Sequence, residues 1–209
     1  MLYDEGAMKT LLRWGMALLG AASITARAAL YCVTTNPVTP TPPYDTWGTG
    51  FTNIQAALDV ARSNDTIRLA GHTFVLTDSL TWTGLASHVI LRGGYAATNA
   101  ATGEGENDPV RWPTIVRQTA ATRVWMISKV TNGILDRVVI TGGQPTAGSG
   151  DWNGVGVFVA ECKNFLMVSC VITNNRMLLS NATKRGGGLY AVSNDWLIVS
   201  NCLIRNNHL

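Results

Sequence analysis

The densest set of carboxylates in this 209-residue chain is Glu104-Gly105-Glu106-Asn107-Asp108. Acids at alternate positions of a Gly-rich loop offer oxygen ligands to calcium, with Glu104, Glu106 and Asp108 as the candidates. Solvated loops carry the same residues, so the pattern alone assigns no metal. Elsewhere the acids of interest come singly, as Asp136-Arg137, Glu161-Cys162-Lys163 and Asp195-Trp196. A calcium-dependent lyase needs several carboxylates on one face with an Arg or Lys as base, and a glycoside hydrolase needs a carboxylate pair about the scissile bond. Neither set is present. No catalytic residue, cofactor or metal ligand is therefore assigned.

Other reactive types are scattered. His72, His88 and His208 stand alone, which predicts surface residues. Of the tryptophans, Trp82, Trp112 and Trp125 are expected to pack, while Trp152 and Trp196 are candidate glycan contacts, because an exposed indole can stack on a sugar ring. Cys32, Cys162, Cys170 and Cys202 raise the question of disulfides.

What must position these residues is a repeat. Gly154–Met177 lies over Gly186–Leu209 without a gap, at an interval of 32. Gly154 and Gly156 then match Gly186 and Gly188, Cys170 matches Cys202, and Ile172 matches Ile204. Asn174 and Asn175 match Asn206 and Asn207. One interval earlier, Val138 and Ile140 precede Cys170 and Ile172, and Asn132 precedes Asn164. The repeated runs are short, rich in Val and Ile, and punctuated by Gly, Asn and Ser, which is strand chemistry. Such strands cannot each close a core, so they must stack as turns of one coil. The fold class predicted is all-β: a single-stranded right-handed parallel β-helix with an N-terminal capping helix.

Equivalent residues then form columns about 4.8 Å apart. Val138-Cys170-Cys202 and Ile140-Ile172-Ile204 are predicted inside, with Phe165, Met167, Leu197 and Val199. Asn174 or Asn175 should bond Asn206 or Asn207 up the column. Lys163 falls beside Asp195, and Cys162 falls on Asn194. Cys170 and Cys202 point the same way on neighbouring turns, which suits a disulfide poorly and predicts stacked thiols. The loops Gln144–Asn153 and Arg176–Arg185 should leave from one edge.

The front of the chain differs. Lys9 and Arg13 precede an apolar Trp14–Ile24 and an Ala26-Arg27-Ala28 exit, so residues 1–28 read as a secretory signal peptide, with Met8 as a better start than Met1. An uncleaved N-terminal anchor is the competing reading. Its removal lowers the net charge of +3 by one. No remaining stretch is long enough to span a bilayer, and no basic block suggests nucleic acid. Residues 29–50 read as a linker, within which the Thr/Pro run Val33–Pro43 cannot pack as helix or strand. Residues 51–209 are the β-helix domain. Within it Ile54, Ala57, Leu58 and Ala61 have helical spacing behind Thr52 or Asn53 as cap. The chain stops at a corner behind Asn206-Asn207-His208, which predicts a C-terminal remainder.

Three segments carry a resemblance. "IQAALDVA…NDTIRLAGHTFVL" resembles the N-terminal cap and first coil of the pectin-lyase-like superfamily of right-handed β-helices. "VILRGGYAATNAATGEGENDPVRWPTIV" (Val89–Val116) resembles secreted bacterial β-helix proteins. "GGGLYA…NCLIRNN" (Gly186–Asn207) is similar to the repeats of polymorphic outer-membrane proteins and autotransporter passengers, which usually carry Phe where this chain has Ile172 and Ile204. The resemblance implies an exported bacterial protein, extracellular or on the outer-membrane surface. It implies a structural, adhesin-like or glycan-binding role, meeting polysaccharide or a host or neighbouring cell surface. The alternative is a carbohydrate-active enzyme, a polysaccharide lyase or glycoside hydrolase, with catalytic rungs beyond residue 209.

Overall fold

A computed structural model describes residues 27–36, 39–84, 86–146, 153–178 and 185–209. The signal-like pattern of 1–26, Trp152 and the middles of both long loops lie outside the described residues. A lead strand, β1 (Leu30–Val33), and a helix, α1 (Ile54–Val60), precede a first turn of β2 (Thr66–Ala70), β3 (Thr73–Leu76) and β4 (Leu80–Thr83). The second turn is β5 (Ile90–Tyr95), β6 (Thr114–Gln118) and β7 (Trp125–Ser128), and the third is β8 (Ile134–Asp136), β9 (Val138–Thr141) and β10 (Val157–Ala160). The fourth is β11 (Lys163–Val168), β12 (Val171–Thr173) and β13 (Leu189–Val192), and β14 (Asp195–Ser200) and β15 (Leu203–Arg205) follow.

Hydrogen bonds sort these strands into three parallel sheets. Sheet A is β1-β2-β5-β8-β11-β14, sheet B is β3-β6-β9-β12-β15 and sheet C is β4-β7-β10-β13. Each turn visits A, then B, then C, so the fold is a parallel β-helix. Crossovers that return to a parallel neighbour are right-handed because a right-twisted strand packs back only that way. The register keeps the interval of 32: Leu166 pairs with Ile198, Ile172 with Ile204 and Val157 with Leu189. Earlier turns do not keep it. Thr66 pairs with Ile90, a coil of only 24 residues, and Ile90 pairs with Ile134 across 44, because an excursion of residues 96–113 interrupts that turn. The 32-residue turn is the short coil with a loop added between sheets B and C.

Alternation on the pleat fills the axis. Ile67, Leu91, Leu135 and Met167 are fully buried in sheet A, as are Val116, Ile140 and Ile172 in sheet B and Trp125, Ile127, Val157 and Val159 in sheet C. Each such aliphatic side chain contributes about 1.5–3 kcal/mol. In the last turn Val199 and Ile204 keep the register but are 40% and 46% exposed, since no described turn lies over them. At the other end α1 lies against β1, β2 and β4 and buries Ile54 and Ala57. Asn53 Oδ1 accepts from Ala56 N at 2.8 Å, closing its first turn.

The expectation of a linker over 29–50 is corrected. Leu30–Val33 pairs in parallel with Thr66–Leu69, and Phe51 N donates to Cys32 O. Cys32, Val33, Thr34 and Trp47 are buried. The Thr/Pro composition concealed this because the strand precedes the prolines. The segment behind them is held by the excursion instead: Trp47 N donates to Thr102 O and Gly48 N to Ala100 O. Cys32, Trp47, Ala70 and Tyr95 form a second small core there.

Candidate functional site

The candidate calcium loop is the first place to look for chemistry, and its carboxylates do not converge. Glu104 lies 3.3 Å from Arg68, and Glu106 lies 3.2 Å from Arg111. Asp108 Oδ1 accepts from the backbone N of Val110 and Arg111. Asn107, between them, turns inward, donating to Gly93 O at 2.8 Å and accepting from Arg137. Among the described residues no three His, Cys, Asp or Glu side chains form a set able to hold a metal ion.

Under that loop, Arg68, Arg92 and Asp136 occupy one column of sheet A. Asp136 is buried, accepts from Arg92 Nε at 2.7 Å and has Arg137 Nε at 3.7 Å from its other oxygen. Burial lowers the Arg92 pKa, but the bond and charge of Asp136 outweigh it and hold the guanidinium above its usual value. Sequence spacing could not show this pair, because Arg92 and Asp136 are 44 residues apart on turns of unequal length. Glu161 and Asp195 are likewise taken up, by Lys129 at 3.8 Å and Lys163 at 3.7 Å, both on the surface.

Inside corners follow one rule. Where the chain bends, a backbone N–H loses its strand partner, and a side chain one interval later replaces it. Asn175 Oδ1 accepts from Gly143 N at 2.9 Å, Asn207 Oδ1 from Asn175 N at 3.1 Å, and Asn194 Oδ1 from Cys162 N at 2.8 Å. Cys202 Sγ does the same for Cys170 N at 3.4 Å. Each group also donates to the carbonyl 35 residues earlier: Asn175 to Ile140, Asn194 to Val159, Asn207 to Ile172, Cys170 to Leu135 and Cys202 to Met167. The thiols thus stand in for amides. Asn175 Nδ2 also reaches Asn207 Oδ1 at 2.9 Å. A Cβ at Gly156 or Gly188 would lie 2.7 Å from the amide nitrogen of Asn175 or Asn207, so the repeated Gly and Asn are one device. Asn194, given no role by the sequence, belongs to it.

All four cysteines are free. Burial pushes the Cys32 thiol up to about 12 and raises Cys162. Cys170 goes well up through the bond to Cys202 and through burial, while the same bond lowers Cys202, the more exposed partner, to about 6. His72 Nδ1 accepts from Thr35 N at 3.3 Å and meets its hydroxyl, and burial lowers its pKa. Both contacts hold the N-terminal segment to the first turn. His88 and His208 are exposed, and Trp82 and Trp125 are buried, while Trp112 is half-buried beneath Arg111.

Outside corners have their own columns, in left-handed backbone. His88, Asn132, Asn164 and Trp196 have φ of 60°, 52°, 51° and 64°. Asn174 and Asn206, at 54° and 53°, mark another such corner, so their neighbours Asn175 and Asn207 are the inward pair. Asn tolerates this conformation, whereas a bulky side chain there costs roughly 1–3 kcal/mol. Trp196 is nevertheless 73% exposed, so burial does not offset that strain. On sheet C, Phe158 and Tyr190 stack at 5.9 Å and 26°, with Arg123 over Phe158 at 5.0 Å. The two rings lie over one another on neighbouring strands, which suits a structural ladder. A cleft of about 500 Å3 beside α1 is crossed by Gln55, which bonds both Thr81 backbone groups and Asp59.

Among the described residues no helix is long and apolar enough to cross a membrane. No protein-family model, curated protein or solved structure matches this chain.

Proposed function

We propose that this chain is an exported bacterial surface or secreted protein of the pectin-lyase-like β-helix kind, serving as a non-catalytic, adhesin-like stalk that meets polysaccharide or a neighbouring cell surface. One observation carries the proposal: of the six acids singled out for chemistry, Glu104, Glu106, Asp136, Glu161 and Asp195 each have a basic partner within 4 Å, and Asp108 is taken up by the backbone N–H groups of Val110 and Arg111. Carboxylates neutralised one by one hold a scaffold together; they leave no paired acid and base facing a common substrate position. The alternative, a carbohydrate-active enzyme, draws no support from these groups.

The test has two arms. Cell fractionation of the source bacterium should find the protein in the medium or accessible to surface-added protease. Purified protein incubated with polygalacturonate, xylan and β-glucan should release neither new reducing ends nor unsaturated products. Retention in the cytoplasm or product formation would overturn the proposal.

A further inference from the structure

Two carboxylates are buried among the described residues, Asp65 and Asp136, and only Asp136 has a basic side chain within 4 Å. Asp65, 3% exposed on the turn between α1 and β2, is held by other donors. Arg62 N donates to its Oδ2 at 2.7 Å, Ala29 N donates to its Oδ1 at 2.7 Å, and Tyr31 faces the same carboxylate. A carboxylate this deep without a counter-ion is costly. Ala29 is the residue directly behind the Ala26-Arg27-Ala28 exit of the signal-like segment. Arg27 and Ala28 are exposed, whereas Ala29 is half-buried and its carbonyl accepts from Thr66 N at 2.9 Å, where the β1–β2 ladder begins. A cut after Ala28 thus falls where exposed chain meets the ladder, and the nitrogen it frees already points at a buried charge.

We propose that the Ala28–Ala29 bond is a processing site whose new α-ammonium pairs with Asp65, locking β1 onto the first turn of the coil once the leader is removed. The inference rests on the export reading above. The agent is a signal peptidase, which reads the small residues Ala26 and Ala28. In the hydrolysis, water gives its hydroxyl to the Ala28 carbonyl carbon and a proton to Ala29 N. The acid's own proton then passes to the freed amine, leaving an Ala28 carboxylate and an Ala29 ammonium. Before the cut, an amide N–H offers Asp65 a bond without charge; after it, an ammonium at the same place offers both, and charge-assisted bonds are the stronger kind. Arg27 departs with the leader, which leaves Arg62 and Tyr31 as the other charged or titratable groups beside the pair. Burial, and then the charge of Asp65, push the Tyr31 phenol above its usual value, so it stays neutral while the ammonium titrates.

The deciding experiment expresses the full chain, leader included, in an exporting bacterium. N-terminal sequencing of the exported product should begin at Ala29. A second chain carries Gly-Ser inserted between Ala28 and Ala29, which keeps the cleavage residues and moves the ammonium off Asp65. Its exported product should melt about 4 °C lower at pH 7. An α-amine ordinarily titrates at about 7.7–8.0, and a carboxylate beside it raises that value. The margin between the two chains should therefore be whole below about pH 8 and disappear as pH rises towards about 10. Asp65→Asn, which keeps an acceptor and loses the charge, should abolish the margin at pH 7. The inference is overturned by an exported chain that begins elsewhere than Ala29, by equal melting of the two chains at pH 7, or by a margin that persists at pH 10 or in Asp65→Asn. Each of these results leaves the stalk standing, whereas a chain held in the cytoplasm sinks the stalk and the inference together.

Discussion

The front two turns and the back three solve one problem in two ways. Every corner of a β-helix strips partners from backbone groups, and a buried unpaired group costs about 1–3 kcal/mol. In the back turns a side chain one interval later closes the corner, and the same residue type recurs: Asn175 and Asn207, Cys170 and Cys202. In the front turns the closing groups keep no interval of 32 and no residue type recurs. Thr114 Oγ1 accepts from Gly94 N and donates to Ala70 O, and Gln118 satisfies Thr119 N and Ala120 N. Repetition is thus one way of satisfying corners, and its absence does not mark a break in the coil.

The comparison can be broken most severely at Asn175, which is fully buried and holds Gly143 N, Ile140 O and Asn207 at once. Asn175→Ala should lower stability by about 3 kcal/mol or more in chemical denaturation, because several buried groups lose partners together. Loss of under about 1 kcal/mol would show that the amide column is decoration.

The seam between front and back turns, held by Arg92 on β5 and Asp136 on β8, should be hit next hardest. Arg92→Leu leaves the buried Asp136 with Arg137 alone, and about 2–3 kcal/mol should be lost, reduced from the fully buried case because Arg92 is 37% exposed. Arg92→Lys should recover part of it.

A smaller effect separates the thiols. Brief iodoacetamide treatment of the native protein, read by peptide mass, should label Cys202 before Cys32, Cys162 or Cys170, since it alone is both accessible and lowered. Cys202→Asn should keep stability, because Asn fills the equivalent role at 175, 194 and 207. Equal labelling of all four would show that the corner column is open in solution.

The smallest effect is acid loosening of the front. The folded pKa of His72 is depressed below the usual 6.5. The unfolded chain therefore binds the proton first, and stability from neutral His72 is complete above about 6.5 and lost as pH falls through the folded value. Protonation removes the acceptor for Thr35, so the protection of the amides of 30–36, relative to their intrinsic exchange rate at each pH, should fall at pH 5 in wild type and change less in His72→Phe.

Legibility in the sequence followed the same divide. Gly156 and Gly188 repeat with Asn175 and Asn207 because they touch, and that pairing made the interval of 32 visible from residue types alone. The capping helix was legible because Ile54, Ala57 and Asn53 act locally. β1 was not, since its partner, β2, lies 36 residues away and nothing in Leu30–Val33 refers to it. Asn194 was passed over because its column holds Cys162, a different letter in the same place. The Arg92–Asp136 pair needed the unequal lengths of two turns, which no fixed interval supplies.

By itself the sequence determined that strands stack in parallel and which side chains meet up the columns, because neighbours there are related by a constant offset along the chain. Only the tertiary structure decided where the acids of 104–108 point, what closes the front corners, and that Trp196 stands strained and exposed. Those depend on contacts between segments of unrelated spacing and on backbone torsions, which residue order does not encode one position at a time.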